Sequence, residues 1–345
     1  MRETCTDSDL DTLSPPPPKP VHYDSSLNGW VLGRYVDVLA ALHEPRLWPV
    51  DSRAEALPDK ADLGTQCRLR TETLTALSRQ RIKCWQAQFS DRAHSTIKRL
   101  PAGTRVDMIS QFAEPWCLEV ALTVVGVDAS GSDLLNALAR EISRATADPL
   151  NESLRQAAKA ASLRLAKSLE SSAVPMSGPA FVALSQTAPR FLANAWLALL
   201  RHPRQLDRLR GEPDLMLSAV EELLRYAGLA RMLFRRASTT LDLAGVKIAQ
   251  GERVILQLSS ANRDPAQFPE PDRLDFSRRL ARQVALGAGP HSCAGGSLIR
   301  MMGGIATAAF VENVVAADTT SPIEWHGGSG FRSAKSLHVY LRQQH

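Results

Sequence analysis

The chain has 345 residues, 44% apolar and 22% charged, with a formal net charge of +5. This suits one large domain or two average ones with an ordinary core, and the modest positive excess, without a long Lys/Arg block, argues against a nucleic-acid surface. No apolar run reaches a membrane span and no N-terminal segment has signal-peptide form, so a soluble cytoplasmic protein is expected, while five cysteines without a CxxC pair (Cys5, Cys67, Cys84, Cys117, Cys293) argue against a disulfide framework or a zinc ribbon.

Residues 1–20 are acidic and then proline-rich (Pro15 to Pro18) and read as a flexible polyproline arm. Residues 21–345 contain no repeat and no linker and read as one domain. Gly29 to Tyr35 has strand character and Val36 to His43 that of a short helix. Thr71 to Phe89 is expected to be helical. Met108 to Gly126 is a strongly apolar helix in which Cys117 is an inert buried thiol. Leu134 to Ala145 and Asn151 to Ser171 form two amphipathic helices. Ser177, as cap, and Pro179, in the first turn, open a long apolar helix to about Arg201. Pro189 lacks the N–H that a helix needs and should bend it. Shorter helices follow near Pro203 to Arg210 and Leu215 to Tyr226. Strands are expected over Leu241 to Ile248 and Arg253 to Leu258. Pro265 to Asp275 is irregular. A last helix spans roughly Ala294 to Ala316, and short strands near Ile323-Glu324 and Leu337 to Leu341 flank the loop Gly327 to Ser333. The sum is mainly α, with small β-sheets towards the two ends.

The segment Leu286-Gly287-Ala288-Gly289-Pro290-His291-Ser292-Cys293-Ala294-Gly295 carries the clearest chemistry. Gly287 and Gly289 can take positive φ and approach a flat ring closely. Gly295 keeps the first turn of the next helix thin beside the sulfur. The free N–H groups and positive dipole end of that helix favour a thiolate at Cys293. Such a loop suits a thiolate that grips iron from one side of a macrocycle; a glycine loop around a structural cysteine is the plainer alternative.

Two further stretches add to it. Glu222-Leu223-Leu224-Arg225 lies upstream on a helical segment, and Ala261-Asn262-Arg263-Asp264-Pro265 lies between. ExxR, ANRDP and GxGxHxCxG in this order resemble the cytochrome P-450 family of heme-thiolate oxygenases, from about Val21 to the C-terminus and most strongly from Leu197 onward. The resemblance implies a P-450-like single-domain fold, heme b as cofactor, and Cys293 as axial ligand. It implies Glu222 and Arg225 as a structural brace closed by an arginine between Pro265 and Arg282, with Arg273 as one candidate. It implies propionate contacts at His291, at Arg235 (rival Arg236) and, on an early helix, at Arg81 (rival Lys83); for His291 a loop-capping role is the alternative. Leu286 stands where the family usually has phenylalanine.

Ala183-Leu184-Ser185-Gln186-Thr187 falls where the family has its oxygen-activating motif. Thr187 keeps the hydroxyl, Leu184 fills the glycine position, and Gln186 replaces the acid with a group that releases no proton at neutral pH. A plain core role, with Thr187 bonding back to the helix, is the alternative. The chain also looks shortened, at the N-terminus and by about one helix between the two amphipathic helices and the long one. The implied activity is insertion of one oxygen atom of O2 into a small or medium apolar substrate, touched by Ala183, Leu184, Thr187, Leu229, Met232 and Leu233 and by the loop Gly327 to Phe331. Electrons are expected from an acidic ferredoxin-type donor steered by Arg79, Arg81, Lys83, Arg278, Arg279 and Arg282, unless these are only a solvated face. Gln186 leaves open peroxide-driven or rearrangement chemistry, or a silent heme-binding homologue.

Overall fold

Twelve helices and twelve short strands are distinguished in the computed structural model, which describes residues 19–49, 60–172, 174–278, 283–317, 322–326 and 328–342. Nearly all of the N-terminal arm, Arg279, Arg282 and Gly327 lie outside the described residues. In chain order the elements are β1 (His22–Asp24), β2 (Gly29–Leu32), α1 (Tyr35–His43), β3 (Leu47–Pro49), α2 (Lys60–Ala76), α3 (Arg79–Lys98), β4 (Arg105–Asp107), α4 (Glu114–Val125), α5 (Ser132–Ala147) and α6 (Glu152–Ser168). Then come α7 (Ser177–Val182), α8 (Ala188–Arg201), α9 (Pro203–Gly211), α10 (Met216–Ala227), β5 (Met232–Ala237), β6 (Leu241–Leu243), β7 (Val246–Ile248), β8 (Arg253–Gln257), α11 (Leu258–Ala261), α12 (Gly296–Asn313), β9 (Val314–Ala317), β10 (Trp325–His326), β11 (Ser333–Ala334) and β12 (His338–Leu341).

The long apolar helix is three pieces: α7, a π turn at Ala183–Thr187, and α8. The Ala188 N–H reaches back five residues to the Ala183 carbonyl. Pro189 has no N–H for the next bond, so the wide turn falls immediately before it. Ser177 is not the cap: Met176, at φ 48°, precedes the helix, and the Ser177 hydroxyl donates to the Leu169 carbonyl. Residues 188–199 of α8 are all buried apart from Arg190. Trp196 stacks on Phe310 of α12 at 4.9 Å and on Phe112 at 5.7 Å, which makes these aromatics the centre of the main core.

Several boundaries differ from the sequence reading. The helix expected over Thr71 to Phe89 is two, broken at Leu77-Ser78, and α2 begins much earlier. Leu241 to Ile248 is a hairpin whose two-residue turn, Ala244-Gly245, has positive φ at both positions, the type I′ pattern. The last helix gives way to β9 at Val314, where β-branched residues begin pairing with β12. Trp325–His326, rather than Ile323-Glu324, forms the strand pairing with β11.

The largest sheet has the order β1-β2-β8-β5-β3, with only β2 and β8 parallel. A second sheet, β4-β12-β9, joins the middle of the chain to its end, so sheets are not confined to the chain ends. The 169–176 connection between α6 and α7 carries no helix among its described residues.

Candidate active site

The loop before α12 is held from both ends. Gly287 and Gly289 have φ of 69° and 65°. A side chain on Gly289 would come within 2.6 Å of the Leu42 carbonyl at the end of α1, so its close approach is to a helix end. The Cys293 N–H donates to the Leu286 carbonyl at 2.8 Å, closing the loop. The sulfur accepts from the Gly295 N–H, and a Cβ on Gly295 would meet the sulfur at 4.0 Å. Cys293 and His291 are open to solvent, yet burial is the first cause of their shifts, raising the thiol and lowering the imidazole. Accessible yet desolvated side chains line a deep recess.

The cations around that recess are Arg235, Arg70 and Arg300. Arg235 is 5% exposed, and its one bond among the described residues goes to the carbonyl of its neighbour Phe234. Burial pulls its cation down to about 10. Arg235 and Arg70 both lower His291, which places them beside it. A buried guanidinium without an ionic partner among the described residues suits an anion. Arg236 turns to the other side of β5 and donates to the Gly251 carbonyl. On the early helices, Arg70 of α2, rather than Arg81, reaches the loop, donating to the Ser292 carbonyl and hydroxyl. Arg81 lies exposed in the first turn of α3, as does Lys83 nearby.

The brace forms in the core. Arg225, whose side chain is 1% exposed, donates two bonds of 2.8 Å to Glu222 and further bonds to the carbonyls of Asn262, Pro271 and Arg273. The closing arginine is Arg278, which donates to Glu222 at 3.3 Å. The Arg273 side chain faces solvent and pairs with Glu270. Asn262 accepts from the Val284 N–H, tying the brace to the start of the cysteine loop. Asp264 accepts from the Tyr35 N–H at the head of α1.

Ala183 and Thr187 line a cavity of about 620 Å³ with Ile142, Leu165, Val182 and Phe331. Leu184 is turned into the main core, and Leu229 is also buried there. Gln186 is buried and donates to Asn136 of α5 at 2.5 Å. Met232 and Leu233, on β5, are partly buried. Among the described residues no cluster of His, Cys, Asp and Glu could hold a metal, and no helix is long and apolar enough to cross a membrane.

The fold thus joins a braced helical core to a solvent-reached cysteine on a glycine loop flanked by arginines. Residues 200–317 match the family model for cytochrome P450. The vitamin D(3) 25-hydroxylase of Pseudonocardia autotrophica is 30% identical, over 80% of this chain and 78% of its own length. Cytochrome p450 CYP199A2 of Rhodopseudomonas palustris is 28% identical, over 93% of this chain and 88% of its own. The crystal structure of P450BioI in complex with an acyl carrier protein ligated to hexadec-9Z-enoic acid superposes with a TM-score of 0.84 at 25% identity, covering 94% of this chain and 95% of that one. The chain belongs to the cytochrome P450 family, of bacterial type. It is an oxidoreductase of monooxygenase class with heme b as cofactor.

Proposed function

We propose that this enzyme inserts one atom of O2 into a small or medium apolar substrate, with Cys293 as the residue that would hold the heme iron and electrons from an acidic ferredoxin-type donor. The observation that carries the reading is an accessible yet desolvated sulfur on a loop whose His291 lies beside the buried Arg235, which has no ionic partner among the described residues. When bound, the heme supplies the iron chemistry of dioxygen, and thiolate ligation favours O–O cleavage. Arg235, His291 and Arg70 hold its carboxylates. Gly295 donates to the sulfur and limits its charge. Gly287 and Leu286 fix the loop that positions it.

In the cavity, Thr187 would offer a hydroxyl, and Ala183 leaves room beside it. Gln186 holds the π turn against α5 through Asn136 and passes no proton of its own. For electron delivery, α3 packs on α12, the helix that leads away from Cys293. Arg79, Arg81 and Lys83 are exposed at the start of α3 and suit an acidic carrier; Arg278 is committed to the brace. A cytoplasmic enzyme is in keeping with such a carrier.

The test is spectroscopic and kinetic. Reduced, CO-treated protein should show the thiolate Soret band, and Cys293→Ser should lose it. Product should require O2, ferredoxin and reductase, and turnover should fall as salt rises. A wild-type protein without the thiolate band, or turnover indifferent to the carrier, would refute the proposal.

A further inference from the structure

Arg231 is a charged side chain that the heme-binding set leaves unused. It lies in extended chain one residue before β5. Its N–H donates to the Gly330 carbonyl at 2.8 Å, and its carbonyl accepts from the Ser259 N–H at 3.3 Å, so the backbone is pinned on two sides. The guanidinium is partly buried and has no hydrogen bond or ion pair among the described residues. Burial lowers its pKa, the neighbouring Arg332 lowers it further, and no carboxylate counters them.

Side chains alternate along a strand, so Arg231, Leu233 and Arg235 share one side. The register with β8, Leu233 against Leu256 and Arg235 against Val254, maintains that alternation. Arg235 stands at the His291 end of the recess. Four residues at about 3.3 Å each put Arg231 about 13 Å further along. Two side chains leaving the same face that far apart do not serve one carboxylate.

Arg332 comes from the other chain of the same ribbon. The Ala230–Phe331 bridge sets Arg231 opposite Gly330 and Leu229 opposite Arg332, so the two arginines lie diagonally on one face. Arg332 sits over the Trp325 ring at 4.8 Å. Phe331, next to Arg332 in the chain and paired with Ala230, lines the same cavity as Thr187, so this ribbon reaches the cavity wall. The partly buried Arg231 cation, raised in free energy by burial and by Arg332 nearby, is stabilised by an anion placed against it.

We infer that Arg231, supported by Arg332, binds the carboxylate of the substrate, so that the enzyme acts on apolar carboxylic acids whose hydrocarbon body reaches towards Ala183 and Thr187. This rests on the heme-thiolate reading and deepens it. The guanidinium fork suits a carboxylate in two parallel bonds. It fixes one end of the substrate and so sets which carbon comes to the iron.

The test uses heme-loaded wild type, Arg231→Met and Arg231→Lys, titrated with octanoic, dodecanoic, hexadecanoic and phenylbutyric acids. Each acid is compared with its methyl ester by the low-to-high-spin shift of the ferric heme. At least one acid should bind wild type roughly ten- to a hundredfold more tightly than its ester, the range of a charge-assisted hydrogen bond. Arg231→Met should remove that preference and leave ester affinity unchanged, and Arg231→Lys should keep part of it. Acids no better than esters in wild type, or a preference that survives in Arg231→Met, overturn the inference. Lower heme content in Arg231→Met also overturns it, by assigning Arg231 to a propionate. A normal thiolate CO band with no acid preference defeats only this inference, whereas absence of the band defeats the heme-thiolate reading as well.

Discussion

Arg225→Met should cost about 3–5 kcal/mol, the penalty for leaving a buried carboxylate without its main partner. Arg225 makes two bonds to Glu222 and three to carbonyls of the 262–273 segment, and both side chains are within 5% of complete burial. Methionine keeps most of the volume, so the loss is electrostatic. The Asp275 N–H and Arg278 still face Glu222, which keeps the cost from growing further. Arg278→Ala removes one longer bond to the same carboxylate and three carbonyl contacts at the surface, and should cost about 1.5–3 kcal/mol. Arg273→Ala should stay within about 0.5 kcal/mol, because that side chain meets only an exposed glutamate. Urea unfolding of the three heme-free proteins, followed by tryptophan fluorescence, ranks them directly. Arg225→Met within 1 kcal/mol of wild type, or Arg273→Ala costing more than Arg278→Ala, would refute the reasoning.

Arg235→Leu should fold, since it removes a desolvated and unpaired cation, but should release heme faster; hemin transfer to apomyoglobin measures this, and an unchanged rate would remove Arg235 from the cofactor site. Gln186→Glu should raise ferredoxin-driven turnover by a factor of ten or more if proton supply limits the reaction, well inside the ~10²–10⁴ range of general acid catalysis; an equal or lower rate in steady-state assays would exclude that limit. Burial raises the Glu114 carboxyl above its ordinary 4.5, with Arg140 and Arg190 only partly opposing it. Its stabilising contribution is therefore present in acid and is lost as pH rises from 4.5 through the raised value, so Glu114→Gln should flatten the wild-type decline in melting temperature across that window.

Much of the cysteine site could be read from residue types because its demands are local. Glycine at 287 and 289, the cysteine at 293 and the helix behind it declare themselves within one turn of chain. The braced pair Glu222 and Arg225 was legible for the same reason. Its third member was not: Arg273 and Arg278 lie in the same proline-punctuated segment, and only the tertiary path decides which one turns inward. Arg70 was missed because α2 presents no apolar stripe at helical spacing, so the helix was begun at Thr71. The strand β5 was missed because Met232 to Ala237 alternates apolar and basic residues only loosely, and its pairing partners, β3 and β8, are remote in sequence. Leu184 and Thr187 are three apart on a helix that widens to a π turn, and this directs one into the core and the other to the cavity.

The stretch from Gly228 to Arg231 acts as a fixed-length spacer between the last turn of α10 and the ladder of β5. Losing a single residue there would invert the alternation downstream. Arg236 would then point where Arg235 does and keep that charge, but Met232 would stand in place of Arg231, and the proposed substrate contact alone would lose its cation. Length variation in this family is therefore far more easily absorbed at the α6–α7 junction, which sets no such parity, than in these four residues.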